Sequence, residues 1–132
     1  MRYDFLSYAG LAVIVAVAVA VGIWQIGGPG QGKREKRDRV RYDHLIELQS
    51  QVRCLAAEQG GKLPDSLEDT ENCQTTAAYD PYTGAAYVYR PTSQLSYQLC
   101  ADFETPETRA FYSRAFDPTS GCLVLDIRYQ RR

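Results

Sequence analysis

LSYAGLAVIVAVAVAVGIWQIGG, residues 6–28, is the stretch on which the reading of this chain turns. From Ala9 to Trp24 every residue is apolar or glycine, and no charge occurs from Phe5 to Gly32. A helix rises about 1.5 Å per residue, so roughly 20 such residues cross a hydrocarbon core about 30 Å thick. Tyr3, Tyr8 and Trp24 stand near the two ends, where amphipathic rings favour the headgroup region. Gly27, Gly28, Pro29 and Gly30 are expected to break the helix. The segment therefore reads as a transmembrane anchor, residues 1–28.

A cleaved secretory signal is the rival reading. Its positive region would consist of Arg2 and the amino terminus alone, and Ala18-Val19-Ala20, its small-x-small match, lies inside the apolar core. A permanent anchor is the expectation. No ionisable residue lies within the span, which argues against an ion or proton path. Ala12, Ala16 and Ala20 fall four apart on one face, and small residues at that spacing let a second helix approach closely.

Working outward, residues 29–41 read as a linker and a basic juxtamembrane collar. Lys33 to Arg41 (KREKRDRVR) holds six basic and two acidic side chains. Lys33, Arg34, Lys36 and Arg37 are the candidates for contact with anionic lipid headgroups. The positive-inside rule would keep this flank in the cytoplasm. The cysteines argue the other way. Cys54, Cys73, Cys100 and Cys122 are an even number in a small domain, the pattern of a disulfide framework outside a reducing cytosol. No C-x-x-C occurs and His44 is the only histidine, so zinc is poorly supported. The expected location is the bacterial inner membrane, single-pass, with the soluble domain periplasmic; the basic flank keeps a cytoplasmic placement open.

Residues 42–132 form the soluble domain. They carry 13 acidic and 8 basic side chains, a net of −5. An acidic domain without a basic face is a poor nucleic-acid binder. A helix is expected from about residue 32 to 59, with Val40, Leu45, Leu48, Val52 and Leu55 making one apolar stripe. Gly60-Gly61 ends it. Asp80-Pro81-Tyr82-Thr83-Gly84 is a turn. Strands are expected at residues 85–90, 95–103 and 122–129, and residues 104–121 form a long connection. Cys100 and Cys122 each stand on the face opposite their strand's leucines. If the two strands are neighbours, both sulfurs come within bridging distance, which leaves Cys54 and Cys73 as the second pair.

Gly61-Lys62-Leu63-Pro64-Asp65-Ser66-Leu67, then Asp80-Pro81-Tyr82-Thr83-Gly84-Ala85-Ala86-Tyr87-Val88-Tyr89, then Tyr97-Gln98-Leu99 follow the membrane segment and amphipathic helix in order. Over roughly residues 38–103 this resembles the type II secretion major pseudopilins and, more widely, type IV pilin-like proteins. The resemblance implies an α+β domain, with a long helix on a small antiparallel sheet of three or four strands, and a role in assembly without catalysis. The chain departs from the family at the processing site. Gly10/Leu11 is the candidate cut, it lacks a basic leader, and Val15 stands where a prepilin has Glu. The family's calcium loop has no clear equivalent; Asp102, Glu104 and Glu107 lie in its region without its glycine-rich spacing.

No catalytic constellation emerges from the residues. His44, beside Asp43 and Glu47, reads as a surface residue, and Asp65, Glu68, Asp69 and Glu71 as a solvated acidic loop. No phosphate loop or haem motif occurs. Tyr79, Tyr82, Tyr87, Tyr89, Tyr97, Tyr112 and Tyr129 all fall in the sheet-bearing half, where a thin core should absorb most of them. The expectation is a non-enzymatic protein without cofactor, metal, small-molecule substrate or nucleic-acid partner. Its partners would be membrane lipid and one or more integral membrane proteins. The leading reading is an accessory structural subunit of a respiratory, photosynthetic or secretion assembly; a noncanonical pseudopilin is the alternative.

Overall fold

The computed structural model describes residues 2–25, 28–106 and 114–127. It is α+β and divides into two compact units, Met1–Arg34 and Glu35–Arg132. Helix α1 spans Arg2–Gln25 and α2 spans Gly28–Glu58. Four strands follow: β1 Val88–Pro91, β2 Ser96–Cys100, β3 Phe116–Asp117 and β4 Cys122–Asp126.

The first unit contains a helix long and apolar enough to cross a membrane. Among the described residues Leu11, Val13, Ile14, Val17 and Val19 are all more than half exposed. In water such a surface would be unfavourable by about 25 cal/mol for each Å² of apolar area.

In the second unit, α2 turns Leu45, Leu48, Val52 and Leu55 inward, the stripe its sequence announces. Val40 at the head of that stripe is only half-buried. The chain leaves α2 through paired C-terminal hydrogen bonds, Gly61 N to Ala56 O at 2.7 Å and Gly60 N to Ala57 O at 3.3 Å. Together they satisfy carbonyls that the helix end would otherwise orphan. The helix begins at Gly28 rather than near residue 32, so the collar read as linker is helical.

The sheet is antiparallel in the order β1-β2-β4-β3. One face of β2, Tyr97 and Leu99, pairs across to Leu125 and Leu123 of β4. These side chains meet Leu45, Leu48 and Val52 of α2, with Phe103 and Phe116 closing the end of the core. Phe103 and Phe116 pack edge to face at 5.1 Å. The β-strands are shorter than the hydrophobic alternation suggested. Ala85–Tyr87 lies outside β1, although Ala86 bridges to Tyr79, and Arg128 and Tyr129 lie outside the described residues.

β3 arises inside the stretch read as an unstructured connection. Its cause is a second Asp-Pro-x-x-Gly turn. At Asp80–Gly84 the glycine amide donates to the Asp carbonyl at 2.8 Å, and the Tyr82 amide donates to the Asp80 side chain at 2.8 Å. At Asp117–Gly121 the same two bonds recur at 3.0 Å each, from Gly121 and Thr119. Gly84 and Gly121 both adopt positive φ, 73° and 66°. At Gly121 a Cβ would also meet the Ala101 carbonyl oxygen at 2.8 Å, so this turn admits no side chain.

The cysteines are joined as Cys54–Cys73 and Cys100–Cys122. Cys100 and Cys122 stand directly opposite each other in the β2–β4 register. Cys54 Sγ and Cys73 Sγ tie the last turns of α2 to the loop that follows. Disulfides of this kind suit an oxidising compartment.

Two measurements check this description. Without reductant the purified protein should show no titratable thiol, and Cys100→Ser/Cys122→Ser should lower stability by about 3 kcal/mol in chemical unfolding. Leu99→Ala, in the centre of the core, should cost about 3 kcal/mol.

Candidate functional site

Among the described residues, the second unit assembles a buried charge cluster. It starts from two residues one turn apart on α2, Asp38 and Arg41, whose side chains are 0% and 3% exposed. Arg41 Nη1 donates to Asp38 Oδ1 at 2.8 Å and to Glu104 Oε1 at 3.0 Å, and its Nε donates to Asp80 Oδ2 at 2.7 Å. Asp38 also accepts from the amides of Glu104 and Thr105, at 3.0 and 2.7 Å, and from the Thr105 hydroxyl at 2.7 Å. Arg37, one turn before Arg41, forks onto Glu104 through Nε at 2.8 Å and Nη2 at 2.6 Å. The Tyr82 ring lies 5.8 Å from the Arg41 guanidinium, within cation–π reach.

Burial and pairing compete at each carboxylate. Burial pushes Asp38 upward, and the hydrogen bonds from Thr105, the Glu104 amide and Arg41 overcome it, so Asp38 sits below its ordinary value. Asp80 is lowered in the same way: burial opposes it, while the Tyr82 amide and Arg41 prevail. Glu104 is drawn down to about 2, first by the Arg37 fork and then by Arg41. All three carboxylates are thus held ionised, the opposite of what a general acid requires.

The cluster engages part of the collar. Arg37 and Arg41 belong with Asp38 to the compact second unit, and Arg37 is engaged by Glu104. Lys33, Arg34 and Lys36 are exposed. In α1 the Ala12, Ala16 and Ala20 stripe is exposed as well. Glu107 lies outside the described residues, and Asp102 is exposed.

His44 is not a bare surface residue. It is half-buried, its Nδ1 is 3.0 Å from the Tyr87 hydroxyl, and the rings meet edge to face. Tyr97 is buried and Tyr89 donates to the Pro64 carbonyl, whereas Tyr79 and Tyr82 are exposed. Tyr112 and Tyr129 lie outside the described residues. In the acidic loop, Asp69 accepts from Gln51 Nε2 at 2.8 Å and from the Thr75 amide at 3.1 Å, so it staples the loop to α2. Among the described residues no three His, Cys, Asp or Glu side chains are placed to share a metal ion.

Grooves among the described residues indent the second unit. One, of about 280 Å³, runs beside β1 and is lined by Asp80, Tyr87, Val88, Cys100 and Asp102. Its buried carboxylate, Asp80, is already bound to Arg41. Another, of about 190 Å³, is walled by Tyr79, Tyr87, Tyr89 and Gln51. Gln51 Oε1 lacks a hydrogen-bond partner but is sealed from the surface, so it offers nothing to a ligand.

No family model, curated protein or solved structure matches this chain.

Sequence reasoning missed Asp38, Arg41, Asp80 and Glu104 as a unit. Asp38 and Arg41 were read as two charges among eight in a solvated run. The available signal was their spacing: one turn apart, they continue the inward stripe of Leu45, Leu48 and Val52.

The cluster predicts an acid-sensitive domain. The folded values of Asp38, Asp80 and Glu104 lie below the unfolded ones, so the unfolded chain takes up protons first as pH falls. Stability should be flat above about pH 5, fall through the carboxylate range near 4, and continue to decline towards pH 2 as Glu104 protonates. Urea midpoints across this range check the sign.

Proposed function

We propose that this chain is a non-catalytic, single-pass accessory subunit of a larger bacterial membrane complex. α1 lies in the inner membrane and packs on a partner helix through Ala12, Ala16 and Ala20. The α2-on-sheet domain, pilin-like in its order of elements, docks on the exposed part of that partner. The observation that carries this reading is the apolar surface of α1. Among the described residues Leu11, Val13, Ile14, Val17 and Val19 are each more than half exposed, an apolar surface suited to lipid or a partner helix.

The disulfides support the periplasm as the domain's compartment. Engagement of Arg37 and Arg41 by the domain's own carboxylates supports it too, because it leaves a smaller exposed basic flank. A non-enzymatic role is supported by a charge cluster whose carboxylates are engaged by the domain's own arginines. Lys33, Arg34 and Lys36 then lie within reach of headgroups.

The second reading is a noncanonical pseudopilin, favoured by the packing of a long helix on a small antiparallel sheet. Mass spectrometry of the mature protein separates the two. A chain beginning at Leu11 with a methylated amine supports the pseudopilin, and one beginning at Met1 supports the permanent anchor.

The leading reading makes two predictions. The full chain should stay in the pellet of carbonate-washed membranes and, in mild detergent, co-purify with a defined integral membrane protein. Ala16→Leu should weaken that association about tenfold, or about 1.4 kcal/mol, while leaving the protein in the membrane pellet. A lone monomer in mild detergent would overturn the docking role.

A further inference from the structure

The three segments that meet at Arg41 have no common secondary structure. Asp38 lies on α2, Asp80 opens a turn, and Glu104 and Thr105 lie in the irregular stretch after β2. Loop carboxylates that converge from distant positions are a common way to hold a hard cation: calcium takes six to eight oxygen ligands at about 2.3–2.6 Å. Here the convergence has the same ligand chemistry but another cation. Asp38 Oδ1 and Glu104 Oε1 approach one nitrogen, Arg41 Nη1, at 2.8 and 3.0 Å, and Asp80 Oδ2 approaches Nε at 2.7 Å. A second guanidinium, Arg37, binds both oxygens of Glu104 and shares Oε1 with Arg41.

The calcium loop of the major pseudopilins would fall around Asp102, Glu104 and Glu107, which lack its glycine-rich spacing. The described residues do not fit it. Glu104, a partly exposed carboxylate of that stretch, spends both oxygens on Arg37 and Arg41. Asp102 is exposed. An added divalent ion would have to displace a guanidinium covalently tethered to α2.

We propose that Arg41 is the structural cation of this domain, supplied by its own helix, and that it holds the Asp80 turn and the Glu104–Thr105 loop without any divalent ion. Charge supports the assignment. Asp38, Asp80 and Glu104 bring three negative charges and Arg37 and Arg41 return two positive ones; the net negative charge that remains sits where Glu104 is about a third exposed to water. Geometry supports it too, since only the planar fork of arginine reaches carboxylates in two directions at once. The proposal is independent of which partner the subunit docks on.

The test is thermal unfolding of the full chain in mild detergent at pH 7, in millimolar CaCl₂ and in EGTA. Wild-type protein should melt at the same temperature in both. Arg41→Gln leaves three carboxylates facing one another; it should melt more than about 10 °C lower in EGTA. Calcium should recover a substantial part of that loss, because Asp38 and Glu104 oxygens then flank a place of ionic size.

Arg41→Lys keeps the charge and loses the fork. It should fold, melt between the other two and ignore calcium, and it carries the test if Arg41→Gln does not fold. A wild-type melting point that moves with calcium or EGTA overturns the proposal. So does an Arg41→Gln protein that folds and melts like wild type, or one that is destabilised and gains nothing from calcium. An Arg41→Lys chain that melts like wild type overturns it as well, since the fork would then be unnecessary.

Discussion

A guanidinium taken out of water imposes the strictest requirement in this molecule. Arg41 is almost fully buried, and an unpaired charge there would be several kcal/mol unfavourable even after relaxation. It must therefore find acceptors, and it finds them 39 and 63 residues away in Asp80 and Glu104. Asp38 faces the same demand from the opposite sign and meets it with Arg41, two backbone amides and a hydroxyl. Satisfying both ions brings the Asp80 turn and the Glu104 loop against one stretch of α2. The hydrophobic contacts of Leu45, Leu48 and Val52 with the sheet are strong but undirected, and would tolerate some sliding. The ion pairs, with oxygens and nitrogens at 2.6–3.0 Å, do not.

Around that point the domain is built sparingly. Four short strands cover one face of one helix, and two disulfides tie the pieces that packing alone would hold weakly. Cys100–Cys122 joins the two central strands across their register, and Cys54–Cys73 prevents the polar loop from peeling off α2. Glu47 and Asp69 reinforce that loop through Thr75, Thr76 and Gln51. Polar groups are thus spent on fastening irregular chain to the helix.

The secondary elements were legible to different degrees. α1 and the inward stripe of α2 were plain because apolar periodicity is a local property, and the Gly60-Gly61 stop follows from backbone sterics alone. The strands came out shorter than their alternation, since pairing ends where a partner ends, which no single strand reveals. β3 escaped notice although its turn repeats the Asp80–Gly84 pattern at Asp117–Gly121. Two residues, Phe116 and Asp117, are too few to carry a period.

Composition and order along the chain suffice for an apolar helix of spanning length, an acidic α+β domain after it, and four cysteines able to pair. Each is a property of neighbouring residues or of counting. Which charges face water is a property of the folded arrangement. KREKRDRVR reads as one basic run, yet tertiary packing sends Arg37, Asp38 and Arg41 into the domain while Lys33, Arg34 and Lys36 stay exposed. The reason is physical: a charge can be buried only where an opposite charge is brought to it, and its partners here come from parts of the chain that only folding makes neighbours.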